Sequence, residues 1–288
     1  MSLAMLAGEA RPGRVKLGLV GDNIRASRSP ALHRICGALS GLEVSYDLYI
    51  PPHLGLTFEE TFSRCLADGL AGFNVTLPYK ERVMRLVEVA DPNIARIGAV
   101  NAVKPTAEGA RGFNTDYSGF ISAFRAAFGE RKPGIVALIG GGGVGKAIAF
   151  ALVVLGADEI RVVDRDLPKA EALARALSAA GAARAVAEAD VQTAMAGADG
   201  AVNGTPLGMT GYPGSPAKDA DFAGQSWAFD AVYTPAETLF KRQAEAAGLD
   251  FISGYELFFH QGVDAFEIFT GTKVSDLDTL RRRLLLES

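Results

Sequence analysis

Along almost the whole chain, short runs of apolar and β-branched residues alternate with stretches whose apolar positions recur every three to four residues. The first pattern fits strands and the second fits amphipathic helices. In the first half the strand-like runs are Val15–Val20, Ser45–Ile50, Gly72–Val75 and Ala99–Lys104. Helical spacing lies near Ser29–Ser40, Phe58–Asp68 and Lys80–Val89, and Pro51-Pro52 and Asp91-Pro92 punctuate the half as loops. A polar break containing Gly and Pro, residues 129–134, opens the second half. There the pattern predicts strands at Ile135–Ile139, Ile160–Val163, Gly200–Val202, Ala228–Val232 and Leu249–Ile252. Helices are predicted over Val144–Leu155, the alanine-rich Pro168–Ala180, Tyr255–Thr270 and Ser275–Leu286. Such alternation predicts an α/β protein with parallel strands flanked by helices. At roughly 150 residues per domain, a chain of this length is expected to form two domains.

Composition narrows the function classes. The 288 residues are 49% hydrophobic and 22% charged, which is ordinary for a globular protein. With 29 Lys and Arg against 33 Asp and Glu, the net charge of −4 argues against nucleic acid or an anionic membrane as the main partner. No apolar run reaches the ~20 residues of a membrane span, and the first fourteen residues lack the pattern of a secretory signal. A cytoplasmic protein is therefore expected, as monomer or homodimer. Two cysteines without a CxxC pair, Cys36 and Cys65, exclude a disulfide framework, and Cys65 falls on an apolar helical stripe. His33, His53 and His260 are scattered without ligand spacing, so no metal is expected.

The strongest chemical signal follows the strand Ile135–Ile139. Gly140-Gly141-Gly142-Gly143-Val144-Gly145 satisfies G-x-G-x-x-G between a strand and a helix. In that setting Gly140 permits the tight turn, Gly142 lets backbone approach a pyrophosphate, and Gly145 allows helix and strand to pack closely. Gly143 and Val144 then open a helix whose free N–H groups face the phosphates. Asp164, nineteen residues beyond Gly145 at the end of the next strand, suits a ribose hydroxyl and repels a 2′-phosphate. Arg165 beside it favours the opposite. NAD is the expected cofactor, with NADP the alternative.

Several short stretches then form an ordered set: Ser27-Arg28-Ser29-Pro30, Asn74-Val75-Thr76-Leu77-Pro78-Tyr79-Lys80, Gly98-Ala99-Val100-Asn101 and Gly112-Phe113-Asn114-Thr115-Asp116. Asn203-Gly204-Thr205-Pro206-Leu207-Gly208-Met209, Asp230-Ala231-Val232-Tyr233 and Gln261 continue it beyond the glycine loop. Over nearly its whole length the chain resembles the shikimate dehydrogenase family. Its Asp164-Arg165-Asp166 strand end resembles the NAD-using quinate/shikimate dehydrogenases within that family.

The resemblance implies a substrate domain, residues 1–115 completed by 255–288, and a Rossmann cofactor domain, residues 116–254, with the C-terminal helices returning to the first. It implies interconversion of shikimate and 3-dehydroshikimate by hydride transfer in the cleft, with quinate and 3-dehydroquinate as an optional second pair. Lys80 and Asp116 match the catalytic pair. Ser27 and Ser29 match the hydroxyls that hold the substrate carboxylate. Thr76, Asn101, Tyr233 and Gln261 match further substrate contacts, and Thr205, Val232 and Gly254 lie where the nicotinamide half binds. Ala26, Ala102 and Gly204 depart from the residues usual in the family, which bears on substrate preference more than on chemistry.

Taken alone, these residues also suit simpler roles. Asp116 would cap a helix starting near Tyr117, and Ser29 before Pro30 would cap another. Lys80 is an ammonium at neutral pH and suits a proton donor; as a base it needs desolvation or a relay through Asp116. Arg281-Arg282-Arg283 reads as a solvated helix face. The competing functions are a dehydrogenase of another cyclic hydroxy or amino acid and a non-catalytic metabolite sensor.

Overall fold

The computed structural model describes residues 13–287, so the reading of the first fourteen residues falls almost wholly outside it. The first half runs β1 (Gly13–Val20), α1 (Ser29–Leu39), β2 (Leu42–Tyr49), α2 (Pro51–Leu54), α3 (Phe58–Ala67), β3 (Gly72–Val75), α4 (Pro92–Ile97), β4 (Ala102–Thr106) and β5 (Gly109–Phe113). Helix α5 (Thr115–Phe128) leads into β6 (Ile135–Ile139), α6 (Gly143–Val154), β7 (Glu159–Val163), α7 (Leu167–Ala179), β8 (Ala185–Ala187), α8 (Val191–Met195) and β9 (Gly200–Asn203). The chain finishes with β10 (Trp227–Asp230), α9 (Leu239–Ala246), β11 (Asp250–Ser253), α10 (Gly254–Thr270) and α11 (Leu277–Leu286).

Two sheets result. The second, in the order β11-β10-β9-β6-β7-β8, is parallel throughout and doubly wound. Its strand order reverses between β6 and β9, the place where ligands bind beyond the strand ends in such sheets. Its central strands are buried on both faces, which is why Ile135–Ile139 reads as a continuous apolar run. The first sheet, β2-β1-β3-β4-β5, is mixed. Strands β2, β1 and β3 are parallel, but β4 is antiparallel to β3 and to β5. Helix α10 closes over this sheet: Phe258, Phe259, Phe266 and Phe269 pack with Leu17, Leu19 and Leu32 in one core, joined by Leu280 and Leu284 of α11.

The structure corrects several local expectations. The helix expected over Lys80–Val89 is a single 3-10 turn, Arg82–Arg85. Beyond it Glu88 exchanges backbone hydrogen bonds with Ala110 and Gly112, which draws the segment out along β5. The proline pairs open short helices, with Pro51 and Pro92 at their first positions. Ser29 does not cap α1; Arg28 holds the cap position without a side-chain bond. Asn114, not Asp116, caps α5 by accepting from Tyr117 N at 3.1 Å. Arg281 is not on a solvated face, because it clasps Glu256 through two bonds of 2.8 and 2.6 Å and lies over Phe259.

Cys36 and Cys65 are buried, and burial pushes both thiols up to about 12, so they behave as apolar core. His33 is buried and stacks on Tyr46 at 4.7 Å. Burial pushes its pKa down to about 3, outweighing the opposing influence of the Asn74 side chain, so it stays neutral and structural. No group of His, Cys, Asp and Glu among the described residues is arranged to hold a metal. None of their helices is long and apolar enough to cross a membrane.

Candidate active site

Lys80 is delivered by the turn after β3. Thr76 N donates to Val20 O at 2.9 Å, Tyr79 N closes the turn on Thr76 O, and Val100 N is held by Lys80 O at 2.8 Å. Tyr79 fixes the turn from outside: its ring stacks on Phe58 at 4.5 Å and its hydroxyl donates to Asp22 at 2.6 Å. Opposite stands the start of α5. Asn114 serves as its cap and also donates to Ala99 O at 2.9 Å, leaving Asp116 in the first turn, where the helix's positive end favours a carboxylate. Lys80 Nζ lies 2.6 Å from Asp116 Oδ2, and the two side chains are only 14% and 8% exposed.

The residues expected to bind substrate are held by contacts of their own. Ser27 and Ser29 hydroxyls meet at 3.2 Å in the loop after β1. Thr76 lies against that loop, since a Cβ built on Gly21 would meet its methyl at 2.5 Å. Asn101, 3% exposed, accepts from Thr115 N at 2.6 Å and donates to Thr115 Oγ1 at 3.0 Å. Thr115 in turn reaches Gln261 Oε1 at 3.4 Å, and Gln261 Nε2 donates to Phe258 O at 2.9 Å. Thr115 is thus a positioning residue that sequence reasoning quoted without assigning. Its bonds span 14 and 146 residues, which no local pattern reveals. Tyr233 stacks on Phe258 at 5.0 Å; burial pushes its hydroxyl up to about 12, against the opposing charge of Arg28.

On the other wall, Gly140 takes φ +102° at the end of β6, which favours glycine. Its N donates to Val163 O at 2.7 Å, and Gly145 and Gly204 crowd its carbonyl. Gly142, by contrast, has open space where a Cβ would stand. Asp164 accepts from Gly141 N at 2.8 Å and from Asp166 N at 3.0 Å, which anchors the carboxylate beside the loop with acceptor capacity left over. Arg165 is exposed. An open glycine cradle at a helix start, with an anchored acid beyond it, fits a dinucleotide. The loop also meets the Lys80–Asp116 pair: a Cβ on Gly143 would lie 3.6 Å from Lys80 Cδ, and Lys146 of α6 pairs with Glu81 at 2.8 Å.

Behind the far end of this wall sits a buried polar hub. Asp230, fully buried, accepts from Thr238 Oγ1 at 2.6 Å, Asn203 Nδ2 at 2.9 Å and Val232 N at 2.9 Å. Asn203 also accepts from Thr205 N at 2.9 Å and Thr205 Oγ1 at 2.7 Å. Thr205 and Val232 are therefore held by one network, and Gly254 lies against Ala231 and Asp230 carbonyls. Burial pushes Asp230 up to about 6 despite its donors. A raised carboxylate makes the ionised form costly at neutral pH, and that cost fades as pH falls through 6 towards the usual carboxylate range. Thr238→Val removes a donor to this charge and the side-chain cap of α9. It is expected to lower unfolding free energy by about 2–3 kcal/mol at neutral pH. Urea unfolding of variant and parent should show the gap narrowing as pH is lowered to 5.

The sequence matches the profile of the shikimate dehydrogenase substrate binding domain over residues 19–103. It matches the profile described as NADP oxidoreductase, coenzyme F420-dependent, over residues 135–207. It is 35% identical over 278 residues to the quinate/shikimate dehydrogenase (NAD(+)) of Corynebacterium efficiens, covering 94% of this chain and 98% of that one. Among solved structures, quinate dehydrogenase from Corynebacterium glutamicum in complex with NAD superimposes with a TM-score of 0.86 at 34% identity, covering 95% and 99% of the two chains. Shikimate 5-dehydrogenase from Thermus thermophilus, in complex with NADP(H) and shikimate, gives 0.80 at 32% identity, covering 94% and 99%. An oxidoreductase architecture, a matching substrate-domain profile and full-length relatives agree: the chain belongs to the shikimate dehydrogenase family.

Proposed function

We propose that this enzyme oxidises shikimate, and quinate with it, to the corresponding 3-ketone with NAD as the preferred acceptor. The observation that carries the reading is the Lys80–Asp116 pair at 2.6 Å, seated directly against Gly143 of the dinucleotide loop. When bound, the nicotinamide supplies or accepts the hydride. The chain's own groups do the rest. Ser27 and Ser29 hold the carboxylate; Thr76, Asn101, Gln261 and Tyr233 orient the ring. In ketone reduction Lys80 Nζ donates a proton to the developing alkoxide while Asp116 holds the amine in place. In oxidation the hydroxyl proton passes back to the same pair, which relays it to solvent. Gly140, Gly142, Gly143, Val144 and Gly145 would hold the pyrophosphate, and Asp164 would accept from the adenosine ribose.

The anchored Asp164 supports NAD, because its carboxylate stands where a 2′-phosphate would need a cation, and Arg165 is the competing influence. We place the substrate domain at residues 1–115 with 255–288 and the cofactor domain at 116–254. The cytoplasm is the proposed location, with the enzyme acting as monomer or homodimer. Initial rates with shikimate and quinate, each with NAD and with NADP, test the reading. Faster turnover with NAD is expected for both acids. Tight binding of either acid without cofactor reduction would identify a sensor, and a strong NADP preference would put Arg165 in control of the pocket.

A further inference from the structure

Arg28 is anomalous among the half-buried arginines. Arg281 is matched by Glu256 and Arg161 by Glu159. Arg28 has no carboxylate within ion-pair reach among the described residues. It donates to Leu284 O at the end of α11, and its guanidinium lies 5.7 Å from the centre of the Tyr255 ring. Its Nε and the Tyr255 hydroxyl are both buried without a hydrogen-bond partner. Glu256, the nearby acid, is already clasped twice by Arg281. A half-buried guanidinium with no carboxylate beside it among the described residues is favoured by an anion that completes it.

Its place in the chain says where that anion belongs. Arg28 stands between Ser27 and Ser29 and forms the cap position of α1, so its positive charge adds to that of the helix start. The charge also reaches Tyr233, one of the proposed substrate contacts. Two serine hydroxyls hydrogen-bond a carboxamide as well as a carboxylate, with a modest gain for the charged acceptor. They orient the group and test its charge only weakly.

We infer that Arg28 is a specificity-determining residue: from behind the Ser27–Ser29 pair it supplies the counter-charge to the substrate carboxylate, and so selects acids over neutral molecules of the same shape. The inference rests on the substrate reading above and goes beyond it, because it assigns charge selection to a side chain separate from the hydroxyls that bind.

Steady-state kinetics on shikimate and its uncharged carboxamide, with wild type, Arg28→Gln and Arg28→Lys, tests it. Arg28→Gln keeps a donor for Leu284 O and removes the charge. It is expected to raise KM for the acid about tenfold or more, with kcat within about threefold and KM for the amide unchanged. Arg28→Lys should restore most of the acid preference. Equal increases for acid and amide would reduce Arg28 to a brace for the loop and overturn the inference. If Arg28→Gln does not fold, wild type decides: its acid-over-amide preference should be at least about tenfold at low salt and shrink as salt screens the charge. A ratio near one would overturn the inference. Wild type inactive on the acid itself would instead refute the substrate reading.

Discussion

Lys80→Ala is expected to lower turnover roughly a thousandfold or more, the scale of losing a positioned proton donor and acceptor. NAD affinity, read by calorimetry, should change by no more than about threefold. Two consequences of the substitution need separating. It removes the proton carrier, and it leaves the Asp116 carboxylate, 8% exposed, without its cation. The second effect is costly in itself, of order 3 kcal/mol, because a buried charge loses its partner. Lys80→Met separates both from the loss of packing, since it keeps the aliphatic stem that lies against Gly143 while removing the amine. Both variants should lose turnover alike, and a melting curve will report the stability component. Turnover within tenfold of the parent in a folded Lys80→Met would remove Lys80 from the chemistry.

The second large effect contrasts two glycines three residues apart. A methyl at Gly145 would sit 1.9 Å from Gly140 O, so the turn and the first turn of α6 must part. Gly145→Ala is expected to weaken NAD binding at least about a hundredfold and to cost about 1–3 kcal/mol of stability, as overpacking does. Gly142→Ala is different. Its φ of −75° and ψ of −173° suit any residue, and no atom lies within 4 Å of the new methyl. The folded protein should therefore be as stable as the parent within about 0.5 kcal/mol. Binding should nonetheless be lost, because the methyl stands where a pyrophosphate approaches the backbone. Urea unfolding beside NAD titration checks both. Normal NAD affinity in Gly142→Ala would take the phosphates out of this loop.

Much of the cofactor half was legible because parallel, doubly buried strands and glycine turns leave strong local marks. Ile135–Ile139 and the helix after it stand where the pattern predicts. The missed elements are those with little apolar signal. Strand β8 is three half-buried residues, Ala-Val-Ala, at the sheet edge. In α9 only Phe240 and Ala244 are buried, too few to show a period. Strand β5, Gly-Ala-Arg-Gly-Phe, has almost no β-formers, and its antiparallel pairing with β4 is what makes it a strand and the sheet mixed. The candidate chemical residues come from ordered motifs, but the groups that hold them do not. Thr115, Thr238 and Asn203 act through bonds to residues far away in sequence, and as isolated polar residues in turns they resemble any others.

The ion pair between Glu81 and Lys146 has a bearing on how the enzyme cycles. It lies at the rim, with Glu81 half exposed, immediately beside a lysine that is nearly enclosed. A contact so wet holds with at most about 1 kcal/mol. Breaking this outer contact therefore costs little, and it leaves the contact between the inner amine and acid untouched.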